Sequence, residues 1–456
     1  MAASEKFADD LFAVPRSGSR YYLYAPLRHA LAVVNQDAVA VVGRYLVSGE
    51  VALDGPGRNV IETLRERGIV GGQVPAPPVF PLGYRFCPHE VTLFPTSRCN
   101  LRCGYCYANG GDHPLDMPWD VARAAIDLVA RNAGLLGSPK FAVGFHGGGE
   151  PLLAWPLIRQ CVEYAQRAAE DRGLRVEIFA ATNGLLQPEQ MEYVSRHFTT
   201  VNVSLDGPPD IQDRNRPRID GGGSYSGVEK TIRFFDEVGF AYGFRATVSA
   251  GTVKRSAEIV EHLATQFHPR YIHLEPLWMC GRCSTSGEKP PPDEEFADCF
   301  LEAVAAGRAH GIDIVYSGAR VDVLTSKFCA AAGDGFNVLP QGLVTSCYEA
   351  VDPADPKAAL FHYGRYDRDS QNFVFDEERR ARLQALSVEN LDHCRDCFCK
   401  WHCAGDCLSK VFARSGRLVH EGSSRCRMNR ELTLRYLDRL VATAAANASD
   451  GEGDGA

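Results

Sequence analysis

Cys99, Cys103 and Cys106 are separated by three and then two residues, and they follow directly on the apolar run Glu90-Val-Thr-Leu-Phe-Pro-Thr96. Three thiolates can hold three irons of a cubane cluster, whereas clusters without an open iron normally take four cysteine ligands. The fourth iron is then open to a small molecule, by the same logic that separates catalytic from structural metal sites. On these residues alone, the competing readings are a zinc knuckle or three unrelated thiols. Further along stands Phe145-His-Gly147-Gly148-Gly149-Glu150-Pro151. Its glycines let the backbone approach a ligand without side-chain obstruction, and Glu150 offers a carboxylate suited to a ligand ammonium group. Then come Thr182-Asn183-Gly184, Ser204-Leu-Asp206-Gly-Pro208 and Asp213-Arg-Asn-Arg216. Hydroxyl and carboxylate groups of this kind can bind a ribose diol or a carboxylate, although Asn183-Gly and Asp206-Gly are also ordinary turn dipeptides.

A second cysteine system occupies the last third of the chain. Cys329 is followed by Gly342-Leu-Val-Thr-Ser-Cys347, then by Cys394-x2-Cys397-x5-Cys403-x3-Cys407, and finally by Cys426. Paired C-x-x-C units are also zinc-ribbon spacing, so on the residues zinc competes with iron–sulfur. Cys280 and Cys283, two residues apart, read as distant cluster ligands, a redox pair or buried thiols. Cys399 reads as an extra ligand or a bystander. Cys87, Cys161 and Cys299 lie on apolar faces and read as core.

The elements that must position these groups alternate regularly. Strand-like runs fall at Glu90–Thr96, Phe141–His146, Val176–Ala181, Val201–Leu205, Phe244–Ser249 and Tyr271–Leu277. Between them, Trp119–Ala133, Leu157–Ala169, Val228–Val238 and Ala257–Phe267 have helical periodicity. Such alternation predicts an α/β fold with a mostly parallel sheet, a partial (β/α)6 barrel of the TIM type. Parallel barrels carry their chemistry at the carboxyl ends of the strands, where each motif above falls. Ahead of the barrel, Tyr21–Pro26 and Ala30–Asn35 read as a hairpin, Gln36–Leu46 and Asn59–Arg67 as helices, and Gly68–Val70 as a return strand. Pro75–Pro81 reads as a stiff linker, and the Ala-, Gly- and acid-rich tail after Thr443 as disordered. The expected division is therefore residues 1–85, a barrel over 86–320, a cysteine-rich domain over 321–430, and a terminal helix with tail over 431–456.

Composition excludes several classes. A net charge of −8 without a strong basic run excludes a general nucleic-acid partner. No stretch resembles a signal peptide or a membrane span, so no membrane association is expected. Sixteen cysteines without an export signal then point to metal binding or catalysis in a reducing compartment, and the expected location is cytoplasmic.

From about Phe86 to Arg427 these motifs together resemble the radical S-adenosylmethionine (radical SAM) enzymes with a SPASM extension, in the peptide-modifying branch. The carriers of the resemblance are the cysteine triad with Tyr105 before its last member, the Gly147-Gly148-Gly149-Glu150 run, Ser204-Leu-Asp206-Gly, and the seven-cysteine order of the last third. The resemblance implies three [4Fe–4S] clusters and SAM. Cys99, Cys103 and Cys106 would hold the SAM-binding cluster. Tyr105, Gly147, Gly148, Gly149, Glu150, Asn183, Ser204, Asp206, Arg216 and Arg245 would line the SAM site, with Arg245 facing the methionyl carboxylate. By the same pattern Cys394, Cys397, Cys403 and Cys426 would ligate an outer auxiliary cluster, and Cys329, Cys347 and Cys407 an inner one that lacks a fourth ligand.

The activity implied is SAM cleavage to a 5′-deoxyadenosyl radical and hydrogen abstraction from a ribosomally made precursor peptide, giving a crosslink, epimer or other oxidised residue. A flavodoxin or ferredoxin would supply electrons. The first eighty-five residues resemble winged-helix modules that bind leader peptides by strand addition. Two alternatives remain: a formylglycine-forming sulfatase maturase, and a small-molecule radical SAM dehydrogenase. The former typically has Asp after the G-x4-C cysteine; here Tyr348 follows, then Glu349, which is the candidate base.

Overall fold

The computed structural model describes residues 4–8, 10–49, 54–78, 85–418 and 422–451. They divide into two compact units, Leu82–Ser317 with Cys329–Ala385, and Met1–Pro81 with Gly318–Phe328 and Leu386–Ala456.

The larger unit is built on strands β5 (Glu90–Leu93), β6 (Lys140–Phe145), β7 (Arg175–Thr182), β8 (Thr200–Ser204), β9 (Tyr242–Val248), β10 (Tyr271–Pro276) and β11 (Asp313–Val315). Each pairs in parallel with the next in chain order. Helices α3 (Trp119–Leu135), α4 (Trp155–Glu170), α5 (Pro188–His197), α6 (Pro209–Asn215), α7 (Tyr225–Glu237), α8 (Ser256–Gln266), α9 (Cys283–Ser286) and α10 (Asp293–Ala309) lie in the connections. The partial barrel predicted from the alternation is therefore present, and β11 extends it by one short strand. Phe141–Phe145 of β6 are all buried, as expected of a parallel strand covered on both faces. α3 buries Val121, Ala122, Ala125, Ile126, Val129, Ala130 and Ala133, a stripe of helical period that seats it on the sheet.

At the other edge β12 (Asn337–Val338) pairs in parallel with β5, and β13 (Leu343–Thr345), β14 (His362–Asp367) and β15 (Asn372–Phe375) continue the sheet antiparallel. Residues 329–385 thus belong to the barrel unit, not to a separate cysteine-rich domain over 321–430. The reason is the ladder itself, since β12 satisfies the free edge of β5.

In the smaller unit, β1 (Glu5–Ala8), β2 (Leu11–Pro15), β3 (Arg20–Ala25) and β4 (Ala30–Asn35) form an antiparallel sheet in chain order. Asn35 caps α1 (Gln36–Ser48) by accepting from the Ala38 amide at 2.9 Å, and Asp54 caps α2 (Gly55–Glu66) through the Gly57 amide at 2.6 Å. Leu11, Leu23, Val42, Ile61 and Leu64 make the core beneath one sheet face. Phe12, Val14, Tyr22 and Tyr24 on the opposite face pack on Phe398, Cys399, Cys403 and on Leu434 and Leu437 of the helix Cys426–Gly451.

Three expectations are corrected here. Residues 68–70 form no strand. The Ile69 amide bonds the Leu64 carbonyl at 2.8 Å and closes the end of α2, with Gly68 in the left-handed region at φ +70°. The terminal helix continues through Gly451 where composition predicts disorder. Of the three cysteines read as core, Cys161 is buried, but Cys87 and Cys299 are partly exposed. Val79–Pro81 of the predicted linker lie outside the described residues. Among the described residues, no helix is long and apolar enough to cross a membrane.

Candidate active site

The cysteine loop follows β5 at its carboxyl end, and loops from four other places in the barrel unit hold it by hydrogen bonds. The Glu150 amide donates to the Arg98 carbonyl at 2.8 Å. A Cβ on Gly149 would collide with that same carbonyl oxygen, so glycine here permits the two loops to touch. Asn183 Nδ2 donates to Asn100 Oδ1 at 2.7 Å. From the segment after α6, the Arg102 and Gly104 amides donate to the Pro217 and Asn215 carbonyls at 2.8 and 3.1 Å. From the loop after β10, the Arg282 amide donates to the Cys106 carbonyl at 3.0 Å.

Inside this frame the triad thiols are electrostatic neighbours, and burial pushes Cys103 up to about 12 and Cys99 up to about 11. An unligated pocket of this kind keeps its thiols protonated, whereas bound metal deprotonates a coordinating thiol outright. Cys106 Sγ accepts from the Gly110 amide at 3.3 Å, a bond of the type that tunes cluster sulfurs. Among the described residues, no group of three or more His, Cys, Asp or Glu side chains is placed to hold a single metal ion. An all-thiol set of three, partly buried and neighbouring, fits the donor chemistry of a cubane cluster.

The Tyr105 hydroxyl donates to Asp206, and Arg216 stacks over its ring at 5.2 Å. Asp206, fully buried, also accepts from Arg216 Nε at 3.1 Å, Asn215 Nδ2 at 3.1 Å and the Thr247 amide at 3.0 Å. Its carboxylate is therefore engaged by four protein donors, which ties the cysteine loop to the ends of β8 and β9. Glu150 is likewise engaged. Its oxygens accept from Thr182 Oγ1 at 2.8 Å, the Asn183 amide at 2.6 Å and the Leu152 amide at 3.2 Å. Both carboxylates, read from the sequence as ligand contacts, organise the loops around them. Of the glycines, a Cβ on Gly148 would meet Ala108 and Ser97 only at ordinary contact distance, 3.9 and 4.0 Å, and the Gly147 carbonyl accepts from the Tyr107 hydroxyl at 3.0 Å.

Burial, against these hydrogen bonds, pushes the Glu150 carboxyl up to about 7 from an ordinary 4.5. A carboxyl whose folded pKa is raised contributes stability below its unfolded pKa and loses it as pH rises through the folded one. Wild type should therefore lose about 3 kcal/mol relative to Glu150→Gln between pH 4.5 and pH above 7, from the 1.36 kcal/mol carried by each unit. Urea unfolding across that range checks this, and parallel stability curves for the two proteins would refute it.

Arg245 is exposed, and its Nη1 donates to His273 Nδ1 at 3.2 Å. His273 Nε2 lies 3.0 Å from Glu275, whose carboxylate also accepts from Ser317 Oγ at 2.8 and 2.7 Å. Because Arg245 can only donate, Nδ1 is the accepting nitrogen and Nε2 carries the proton. The sequence reading missed His273 and Ser317. The signal for the first was its spacing of two from Glu275 on one strand, which puts both on one face. Ser204 ends β8 beside Arg245 in the ladder. Tyr348 stacks on His146 with centroids 4.6 Å apart and its hydroxyl 3.1 Å from Thr92 Oγ1. Burial lowers His146 to about 4, so it is neutral. Glu349, Cys347 and Arg245 all act electrostatically on the buried Tyr107 hydroxyl, which groups them near the cysteine loop. Cys329 is exposed and Cys347 buried. Cys283, buried, has Met279 Sδ at 3.5 Å and the Glu288 carbonyl at 3.6 Å as neighbours.

In the smaller unit Cys394, Cys397, Cys403 and Cys426 are mutual electrostatic neighbours. Asn429 Nδ2 donates to Cys403 Sγ at 3.1 Å. Cys399 lies 3.4 Å from Cys397, and its thiol together with Arg430 lowers Cys397. Cys407 precedes the helix Leu408–Ser415 as its cap.

Residues 93–261 match the Radical SAM superfamily. The chain is 21% identical over 434 residues to the radical SAM cyclopropyl synthase TigE of Paramaledivibacter caminithermalis, covering 89% of this chain and 84% of that protein. It is 25% identical over 343 residues to the cysteine-type anaerobic sulfatase-maturating enzyme of Clostridium perfringens, covering 70% and 89%. Its fold is similar to that of Streptococcus suis SuiB bound to the precursor peptide SuiA, with a TM-score of 0.55 at 13% identity over 92% of this chain and 99% of that one.

Proposed function

We propose, from the premise that this chain belongs to the radical SAM superfamily, that it is a maturase abstracting hydrogen from a ribosomally made precursor peptide to leave a crosslink, epimer or other oxidised residue. The observation that carries the reading is the attachment of the glycine, Asn183, Asn215–Pro217 and Arg282 loops to one three-cysteine loop at the carboxyl end of a parallel sheet. A carrier of electrons has no use for that construction. Cys99, Cys103 and Cys106 would hold the first cluster, which together with SAM would supply the radical chemistry for hydrogen abstraction. Cys394, Cys397, Cys403 and Cys426 offer four thiols that would hold an auxiliary cluster, and such a group would supply one-electron redox capacity. A small reduced carrier such as a flavodoxin or ferredoxin would supply electrons.

The chain's own work is positioning and exclusion of water. Asp206 fixes Tyr105 and Arg216 behind the triad. Glu150 holds the loop after β7 against the glycine run. Arg245, with Nη1 held by His273, presents a guanidinium to a carboxylate. Phe94, His146 and Tyr348 form an apolar wall, with centroids 4.6–5.9 Å apart. In the sulfatase-maturing branch a carboxylate would follow the G-x4-C cysteine. Tyr348, stacked and hydrogen-bonded, stands there instead, which favours peptide crosslinking or epimerisation over formylglycine formation.

A peptide substrate is supported by the named relatives, TigE and the peptide-bound SuiB, and by the free edge of β4. Among the described residues that strand pairs only with β3. It lines a groove of about 960 Å³ with Asn59, Val60 and Thr63 of α2 and Leu440 of the C-terminal helix. Val33 on it is 44% exposed. A leader added as a strand would satisfy this edge.

The test is anaerobic co-expression with a short peptide encoded beside the gene, read by mass spectrometry in heavy water. Loss of two hydrogens in one fragment, or deuterium uptake without mass loss otherwise, is the expected result, and Val33→Pro should lower conversion several-fold. An unchanged peptide without deuterium would overturn the peptide reading in favour of a small-molecule substrate.

A further inference from the structure

The loop Met279-Cys-Gly-Arg-Cys283, whose two cysteines read from the sequence as distant cluster ligands, a redox pair or buried thiols, lies against the cysteine loop. Arg282 makes four contacts there. Its backbone amide donates to the Cys106 carbonyl at 3.0 Å, and Nη1 donates to the Cys103 carbonyl at 3.1 Å. Nη2 donates to the Gly110 carbonyl at 3.2 Å and to Asp112 Oδ1 at 2.9 Å. Only a planar guanidinium fork has the donors to span two carbonyls and a carboxylate at once. Gly281 lets the loop approach so closely. It adopts φ +53°, and a Cβ there would collide with the Cys106 carbonyl oxygen and sit 2.7 Å from that of Tyr107. The Arg282 side chain is only 18% exposed, so its charge is felt locally.

We infer that the Arg282 side chain is a positioning group for the three-cysteine loop, acting through the Cys103 and Gly110 carbonyls and the Asp112 carboxylate to hold the thiols in place before the cluster assembles. The side chain ties the carbonyl of one ligand residue to the turn beyond the triad, so its removal loosens the loop without removing a ligand or the backbone bond to Cys106. Its positive charge beside those carbonyls also makes an added electron in the neighbourhood easier to hold, which Lys can imitate and Ala or Gln cannot. The inference rests on the triad being a cluster site, but its first readout does not.

The experiment compares wild type, Arg282→Ala, Arg282→Gln and Arg282→Lys in the full chain. Hydrogen exchange of the metal-free protein over residues 97–112 should accelerate at least tenfold in Ala and Gln. Lys, lacking the fork, should fall between them and wild type. After iron–sulfur reconstitution, the midpoint potential of the triad cluster should move negative in Ala and Gln and stay near wild type in Lys. Circular dichroism and exchange elsewhere in the barrel serve as controls for folding. Unchanged exchange over 97–112 in Arg282→Ala would overturn the inference. So would a potential shift equal in Lys and Ala, because the charge would then have no part. If instead wild type reconstitutes no cluster at the triad while the exchange pattern holds, the failure lies with the cluster reading and not with the Arg282 contacts.

Discussion

Cys103→Ala should reduce formation of 5′-deoxyadenosine from SAM to the enzyme-free background, while iron bound through the four thiols of the smaller unit is retained. Cys103 is the middle ligand of the triad, partly buried beside both other thiols. Two remaining thiolates cannot hold three irons, and no His, Asp or Glu among the described residues completes a set with them. Chromatography of the nucleoside after chemical reduction, with iron counted on the same sample, reads both parts at once. Nucleoside release at the wild-type rate would sink the assignment of the triad. Loss of all iron would instead point to a common assembly defect, and Cys103→Ser then separates the two, since the hydroxyl keeps the packing and changes only the ligand.

Asp206→Ala should destabilise the protein by about 3–5 kcal/mol, the range for breaking a buried ion pair from one side. The aspartate is fully buried, and the Arg216 side chain that it neutralises is only 10% exposed. Its loss strands the Arg216 cation, the Tyr105 hydroxyl, the Asn215 amide and the Thr247 amide together. Tyr105→Phe, which keeps the ring under Arg216 and deletes only the hydroxyl, should cost about 1 kcal/mol, as for a single hydrogen bond. Chemical denaturation of both variants measures the difference. Equal, small losses would mean that solvent reaches the pair and that Asp206 does not anchor the loop. Because the hub sits behind the triad, SAM affinity in Asp206→Asn should fall as well, even if the fold survives.

Much of this was legible in the chain before folding. The six strands and four of the helices were readable because a parallel sheet buries both faces of its strands and one stripe of each helix, which leaves clear periodicity in the residues. The triad was readable because its ligands are local, with three residues and then two between them on one loop. What failed was of another kind. Ile69 and Val70 are apolar and β-branched, yet they close α2 instead of pairing, since the local bond to Leu64 satisfies their backbone first. The two-residue strand β12 has too little sequence to carry any period, and only its pairing with β5 defines it. For that reason residues 329–385 could not be assigned to the barrel from composition.

The sequence by itself determined the chemistry available: which thiols, carboxylates and glycines stand at the ends of which strands. The division of labour among them was decided only by tertiary structure. Asp206 and Glu150 have the same carboxylate whether they face a ligand or the protein. Their partners, Tyr105 at a separation of 101 residues and Thr182 at 32, are set by which strands become neighbours. Arg282 is more distant still, 179 residues from the carbonyl of Cys103 that it holds. Local spacing fixes a motif because neighbours in the chain cannot separate. A hydrogen bond across a barrel exists only once the sheet has closed the distance, and no short-range pattern records it.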